Sequence, residues 1–96
     1  MEIIFEERID QALRHLQPQD LRKTIRILEK LKGSTFDNLK QDNKIKKISL
    51  PTGNIFVIKI NEKLRLIYKY GENRNIILED IVSHDILEKF FQRKSS

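Results

Sequence analysis

The spacing of apolar residues along this chain changes once, from a helical period to an alternating one. Between residues 6 and 33, apolar side chains recur three or four positions apart, as at Leu21, Ile25 and Leu28. After residue 47 they alternate with polar side chains in short segments, as in 64–70. Because an α-helix repeats every 3.6 residues and a strand every two, this order predicts helices followed by strands. Helices and strands kept apart in this way favour an α+β fold with a mainly antiparallel sheet.

Prolines, glycines and polar clusters set the bounds of the predicted elements. Pro18 lies near the start of the second helix and Gly33 just past its end, at positions that helices tolerate. The predicted elements are, in order, a strand at 1–5, helices at 6–17 and 18–32, a polar loop at Ser34–Lys44, strands at 47–50, 56–60, 64–70 and 75–82, and a short C-terminal helix with a capping box at Asp85 and Glu88. Each N-terminal helix has one apolar stripe, so we expect this helical hairpin to pack on one face of the sheet.

Length and composition limit the class of protein. A chain of 96 residues, 39% of them hydrophobic, predicts a single domain that spans residues 1–96. There is no cysteine, which excludes disulfides and thiolate metal sites. The two histidines, His15 and His84, have no partners at metal-ligand spacing, and there is no glycine-rich phosphate loop. We therefore expect neither a metal nor another cofactor.

The N-terminus and the apolar runs predict a location. Residues 1–10 turn acidic after a brief apolar stretch, which is unlike a signal peptide. No apolar run approaches the roughly 20 residues that are needed to span a bilayer. We therefore expect a soluble, cytoplasmic protein that does not act at a membrane.

Charge is distributed unevenly over the two faces of the predicted sheet. The formal net charge of +5 and the pI near 9.6 favour binding to nucleic acid, an anionic surface or an acidic protein. The face that we expect the helices to cover, here called the core face, is predicted to hold Ile48, Leu50, Phe56, Ile58, Ile60, Leu64, Leu66 and Tyr68. The opposite or open face is predicted to hold Lys47, Ser49, Val57, Lys59, Arg65, Ile67 and Lys69, with no acid. Two interpretations follow: lysines keep an uncovered sheet soluble, or a cationic face binds a polyanion.

Two side chains near the open face are the most informative about chemistry. Arg65 lies mid-strand, where a planar guanidinium with five donors suits bidentate contact with a phosphate. His84 lies where the last strand gives way to a helix, and histidine is the side chain that exchanges a proton near neutral pH. A histidine in the first turn of a helix with no chemical role is the alternative interpretation. Ser83, His84 and Asp85 are the residue types of a hydrolase triad, but adjacent residues cannot adopt its geometry.

These segments together resemble a known family. The helical hairpin "LRKTIRILEKLKG", the strand pair "IFVIKINEKLRLIYKY" and the segment "NIILEDIVSHD" resemble the RelE/ParE toxin superfamily of bacterial toxin–antitoxin systems. The most specific part is Lys59 followed by Arg65-Leu66-Ile67-Tyr68. The resemblance covers the chain almost end to end, and it implies a RelE-like fold with the helical hairpin on one face of the sheet.

The resemblance also implies an activity and its residues. In the RNA-cleaving branch of the family, the open face grips mRNA in the ribosomal A site, and a 2′-hydroxyl attacks the neighbouring phosphate. By this resemblance Lys59 would stabilise charge or act as base, Arg65 would clamp phosphate, and His84 would be the general acid or base. Lys46, Lys47 and Lys69 would add contacts to RNA. The implied protein partner is an acidic, partly disordered antitoxin.

Three departures from the family pattern leave other functions open. Val57 stands where some RNA-cleaving members have a second lysine. The pair His84-Asp85 replaces an arginine after the last strand, and Phe90 and Phe91 stand where those members have a tyrosine. One alternative is a ParE-like inhibitor of DNA gyrase without nuclease activity. Another is a weakly toxic member that keeps the fold and binds an antitoxin.

Overall fold

The elements follow one another in the predicted order. The computed structural model describes residues 2–33 and 45–95, with side chains up to Lys89. Its elements are β1 (Ile3–Phe5), α1 (Glu7–Arg14), α2 (Pro18–Gly33), β2 (Lys46–Leu50), β3 (Gly53–Lys59), β4 (Leu64–Tyr70), a short 3-10 turn (Glu72–Arg74), β5 (Ile76–Ser83) and α3 (His84–Ser95). The predicted loop at Ser34–Lys44 lies outside the described residues. None of the helices among these residues has the length and apolar character that crossing a membrane requires.

The five strands form one sheet in the order β1-β5-β4-β3-β2. β1 is parallel to β5, and the other three neighbouring pairs are antiparallel, which confirms the predicted α+β class with a mainly antiparallel sheet. β5 is an interior strand because it pairs with both β1 and β4. Its interior position explains why the segment 75–82 is apolar in both alternating positions.

Both N-terminal helices pack on the core face. Ile9 of α1 and Leu31 of α2 are fully buried against a cluster that includes Ile58, Leu66 and Tyr68. The core face predicted for β3 and β4 is therefore confirmed. Burial of a large apolar side chain stabilises the fold by about 1.5–3 kcal/mol, so this cluster holds β3 and β4 in one register.

The register of β2 differs from the prediction. Lys46 pairs with Val57, and Lys47 pairs with Phe56. Directly paired residues project from the same face of a sheet, so Lys46 lies on the open face and Lys47 on the core face. The predicted placement of Lys47 on the open face is therefore wrong, and so is the placement of Ile48 and Leu50 on the core face.

The hairpin loop and the cover over the open face explain this difference. Pro51 and Thr52 form a two-residue loop, so Leu50 pairs with Gly53. As a result, even-numbered residues of β2 project from the same face as odd-numbered residues of β3. Gly53 has a φ of 133°, a conformation that glycine adopts without strain. Ile48 is half-buried on the open face, because α3 shelters that part of the sheet. An alternating apolar pattern in β2 therefore did not mark the core face.

Candidate active site

A groove runs along the open face between the sheet and the start of α3. Its volume is about 420 Å³, and it is lined by Lys46, Ile48, Val57, Lys59, Arg65, His84, Leu87 and Glu88. Four of the six predicted site residues therefore lie together, on four different elements. The floor is apolar and the rim is cationic, which is a surface suited to a ligand that has both flat apolar parts and negative charge.

Lys59 and Arg65 lie directly opposite each other on β3 and β4. Like charges in this position destabilise a sheet, so the pair needs compensation. Lys59 Nζ lies 2.7 Å from Glu62 Oε1 in the β3–β4 turn. Arg65 Nη1 donates hydrogen bonds to the carbonyl oxygens of Asn61 and, at 3.0 Å, of Leu64. The turn thus holds two cations side by side at the groove.

Arg65 keeps part of its guanidinium available. The hydrogen bonds that this side chain makes within the described residues all use Nη1. Nε and Nη2 are free to donate two parallel hydrogen bonds, which is the geometry that carboxylates and phosphates accept. The side chain is half-buried and lines the groove, and its Nη1 is held by the turn.

His84 is the first residue of α3 and lies at the end of the groove. Its backbone N–H donates to the carbonyl of Lys63 at 2.7 Å, which ties α3 to the β3–β4 turn. The imidazole Nε2 is 3.9 Å from Glu88 Oε1, one helical turn later, and the side chain is 42% exposed. The imidazole therefore lies near a carboxylate of its own helix while remaining accessible to a ligand in the groove.

The N-cap of α3 is Ser83. Its Oγ accepts a hydrogen bond from the backbone N–H of Ile86 at 3.1 Å, the pattern that a serine makes at the start of a helix. The predicted capping box at Asp85 and Glu88 is therefore wrong by two residues. Ser83 is the last residue of β5, and its side chain also accepts a hydrogen bond from the first turn of α3. The helix therefore begins earlier than the acidic residues suggest.

Solved structures share this architecture, although the sequence matches no protein-family model and no curated protein. A chain of the archaeal RelE–RelB complex from Pyrococcus horikoshii has a TM-score of 0.69 at 12% identity, over 85% of this chain and 92% of that one. YafQ from E. coli has a TM-score of 0.73 at 16% identity, over 90% and 96%. YoeB from Staphylococcus aureus, solved as a dimer, has a TM-score of 0.64 at 15% identity, over 88% and 97%. The chain has the RelE-like toxin fold. At these identities the likeness concerns the fold, and it confirms the fold that the sequence resemblance implied.

Lys46 lies beside Val57, the position at which the sequence resemblance led us to look for a second lysine. Val57 is 4% exposed and forms part of the groove floor. Lys46 is its direct neighbour across the β2–β3 pair, and its side chain is exposed. A cation therefore reaches this part of the groove from the edge strand.

Lys69 lies on the open face but outside the groove. A bulge between β4 and β5 makes Glu79 an extra residue, since Ile67 pairs with Asp80 and Tyr68 pairs with Leu78. Lys69 Nζ is 2.7 Å from Glu79 Oε1, and this hydrogen bond raises the pKa of Lys69. The prediction that the open face carries no acid is therefore wrong.

The two tyrosines of the chain lie on the core face. Tyr68 stacks on Phe56, with ring centroids 5.3 Å apart, and Tyr70 pairs with Ile76 at the end of the sheet. Burial raises the pKa of Tyr68, so its phenol stays protonated. Neither tyrosine borders the groove, whereas His84 is among the residues that line it.

Sequence reasoning missed three polar residues that shape the groove. Glu62 pairs with Lys59, Glu88 lines the groove beside His84, and Asn61 accepts hydrogen bonds within the β3–β4 turn. An asparagine at a hairpin turn is a signal for a side chain that hydrogen-bonds its own backbone, and this signal could have singled out Asn61.

The outer side of α2 carries a second cationic region. We call it the α2 surface, and its exposed cations are Arg22, Lys23, Arg26, Lys30 and Lys32. In the part of the chain that the structure describes, none of the five forms an ion pair. Beside it, a cleft of about 340 Å³ between β1 and α2 exposes 51% of Phe5 and 44% of Ile25. The α2 surface therefore lies beside a cleft whose lining combines the apolar residues Ile3, Phe5, Ile25 and Leu28 with the acids Glu2 and Glu29.

Proposed function

We propose that this protein is the toxin of a toxin–antitoxin pair and that it cleaves mRNA on the ribosome. The observation that carries the proposal is the direct pairing of Lys59 with Arg65 on a groove that ends at His84. Two cations held opposite each other, at a cost to sheet stability, suit a site for negative charge. A proton-transfer group at the same groove suits phosphoryl transfer, where positioning and charge stabilisation supply most of the catalysis.

The proposed reaction breaks one phosphodiester bond. The 2′-oxygen of a ribose forms a bond to the adjacent phosphorus, the bond from phosphorus to the 5′-oxygen breaks, and a cyclic phosphate results. One proton passes from the 2′-hydroxyl to a base and one passes from an acid to the 5′-oxygen; His84 serves one of these two transfers and water serves the other. Arg65 holds the phosphate through its free donor edge, Lys59 stabilises the charge that develops on it, and His84 transfers a proton. Glu62 releases Lys59 when the phosphate arrives.

The apolar floor of the groove supports a nucleic-acid substrate. Ile48, Val57 and Leu87 provide a surface on which the flat face of a base can pack. Base stacking is tolerant of sequence, whereas the phosphate contacts fix position along the strand. A groove with both properties favours an RNA strand over a small inorganic anion.

The α2 surface supports the proposed antitoxin. Two of the structurally similar proteins come from complexes described as RelE–RelB and RelBE2, a toxin–antitoxin complex. An acidic segment that folds on binding could place its carboxylates on Arg22, Arg26 and Lys30, which lie at four-residue intervals on one side of α2. The cleft beside Phe5 and Ile25 would take an apolar side chain of the same segment. We propose that this acidic antitoxin holds the toxin inactive.

Expression of the protein alone in bacterial cells tests the proposed function. We expect growth arrest and new 5′ ends within a translated reporter mRNA. A matched reporter that lacks its start codon should stay intact, because the proposed cleavage needs the ribosome. Growth arrest with intact mRNA and inhibited DNA gyrase would favour the ParE-like alternative. Unimpaired growth would contradict both activities.

Lys46 and Lys47 provide a matched pair of variants for the groove. Both are exposed cations on β2, but only Lys46 lies on the groove side. Lys46→Ala should weaken binding to a short RNA by about tenfold, since a hydrogen bond to a charged group contributes about 1.5–3 kcal/mol. The slope of log affinity against log salt concentration should also become shallower in this variant, by the amount that corresponds to about one phosphate contact. Lys47→Ala removes the same charge from the other face and should change both quantities less. Equal losses in the two variants would contradict the assignment of the groove.

A further inference from the structure

We propose that Asn61 is a positioning residue that sets the direction of the Arg65 guanidinium. Its importance for cleavage rests on the proposed function, whereas its effect on Arg65 does not. Asn61 lies in the β3–β4 turn and is half-buried. The role assigned to it is to fix the turn whose carbonyl groups hold Arg65.

The side chain of Asn61 organises the turn from within. Its Oδ1 accepts hydrogen bonds from the backbone N–H groups of Lys63, at 2.8 Å, and Leu64, at 2.9 Å. These two bonds satisfy donors that a tight turn otherwise leaves to solvent, and they fix the path of the chain between the strands. As a result the carbonyls of Asn61 and Leu64 both point at Nη1 of Arg65.

The same side chain attaches the turn to the helical layer. Asn61 Nδ2 donates to Asp20 Oδ1 at 2.9 Å, across 41 residues of sequence. Asp20 is itself held in the first turn of α2, where its carbonyl accepts from Oγ1 of the fully buried Thr24 at 2.8 Å. On its other side, the turn is tied to α3 by the bond from the N–H of His84 to the carbonyl of Lys63. The turn is therefore anchored to α2 on one side and to α3 on the other.

Asparagine is the residue type that this position requires. It uses an amide oxygen that accepts twice and an amide nitrogen that donates once. Aspartate would keep the acceptor but would lose the donor and place a second carboxylate against Asp20. Alanine would remove all three bonds, so the Asn61 carbonyl that holds Arg65 would no longer be fixed, whereas the Leu64 carbonyl would keep its bond from the N–H of Ile60.

The test compares Asn61→Ala with Asn75→Ala. Asn75 is a matched control, because its Oδ1 also accepts from a backbone N–H, that of Glu2 at 3.2 Å, at a distant turn. In nuclear magnetic resonance spectra of the intact protein, we expect separate signals for the Arg65 guanidinium protons, which report hindered rotation. Asn61→Ala should merge these signals, and Asn75→Ala should leave them separate. Unchanged Arg65 signals in a folded Asn61→Ala variant would overturn the proposal.

A double-mutant cycle tests the consequence for cleavage. Asn61→Ala should lower cleavage by about 10- to 100-fold in the natural background, the scale of a small misplacement of a catalytic group. It should have little further effect once Arg65 is alanine, because the effect acts through Arg65. An equal loss in both backgrounds would overturn the proposal. If Arg65→Ala leaves cleavage intact, the proposed role of Arg65 in cleavage fails, and if the natural protein does not cleave mRNA, the proposed function fails. In both cases the spectra still decide the positioning role.

Asp20→Ala provides a second test of the proposal, and this test can be made whether or not the Asn61→Ala variant folds. It removes only the attachment to α2 and keeps both bonds within the turn. We expect broadening of the Arg65 guanidinium signals and a smaller loss of cleavage in the same direction. Sharp, unchanged signals in both Asp20→Ala and Asn61→Asp would overturn the proposal.

Discussion

Replacing His84 with alanine is expected to lower the rate of mRNA cleavage about 10²- to 10⁴-fold, the usual contribution of a positioned proton-transfer group. The imidazole borders the groove that holds Lys59 and Arg65. It is 42% exposed, so its loss should change the free energy of unfolding by only about 0.5 kcal/mol. Single-turnover cleavage of mRNA on purified ribosomes measures the first quantity, and chemical denaturation measures the second.

His15 provides the control for this experiment. It is the other histidine of the chain, and it caps the C-terminus of α1, on the helical side of the sheet. His15→Ala should cleave at the natural rate, and added imidazole should restore part of the activity of His84→Ala. A His84→Ala variant that cleaves as fast as the natural protein would exclude the imidazole from the reaction.

Arg65→Ala should lower cleavage about 10²- to 10³-fold, the effect of removing a donor that stabilises charge in the transition state. Arg65→Lys keeps the charge but not the planar pair of donors, so it should recover only part of this loss. The alanine variant loses hydrogen bonds to turn carbonyls, but it also loses the repulsion between Arg65 and Lys59. Because these effects oppose each other, we expect the free energy of unfolding to change by only about 1 kcal/mol. Cleavage rates and unfolding curves of the three proteins test this ordering.

Lys69→Ala is the matched control for Arg65→Ala. Lys69 lies on the same strand and the same face, four residues further along. It pairs with Glu79 rather than lining the groove, so removing its charge should change cleavage less than about threefold. Equal losses in the two variants would show that cleavage depends on the total charge of the face and not on a phosphate clamp at Arg65.

Local patterns were sufficient to predict the elements and part of the site. The change of period predicted two helices and then four strands, because each period belongs to one kind of backbone. The alternation in β3 and β4 predicted that Lys59 and Arg65 share a face, because a one-residue slip would bury both charges. The structure confirms the shared face through their direct pairing. The junction of β5 and α3 was also predicted, and it brings His84 to the same groove.

Other features depend on how distant segments meet. Lys47 was predicted on the wrong face because the apolar residues of its strand, Ile48 and Leu50, lie on the open face, where Ile48 borders the groove together with Leu87 of α3. Glu79 joined the open face through a bulge, which no local pattern in 75–82 reveals. The hydrogen bond from Asn61 to Asp20 joins residues 41 positions apart. Each of these requires knowledge of a pairing partner, whereas periodicity reports only the faces of a single element.

By itself the sequence determined the order of the elements, the core face of the central hairpin and the sharing of one surface by Lys59 and Arg65. Only the tertiary structure decided that Lys46 and not Lys47 borders the groove, that acids accompany the cations, and that the turn holding Arg65 is anchored to α2. The physical reason is that side-chain alternation is a property of one strand. Register, bulges and tethers are instead properties of two segments in contact, and their stability comes from that contact.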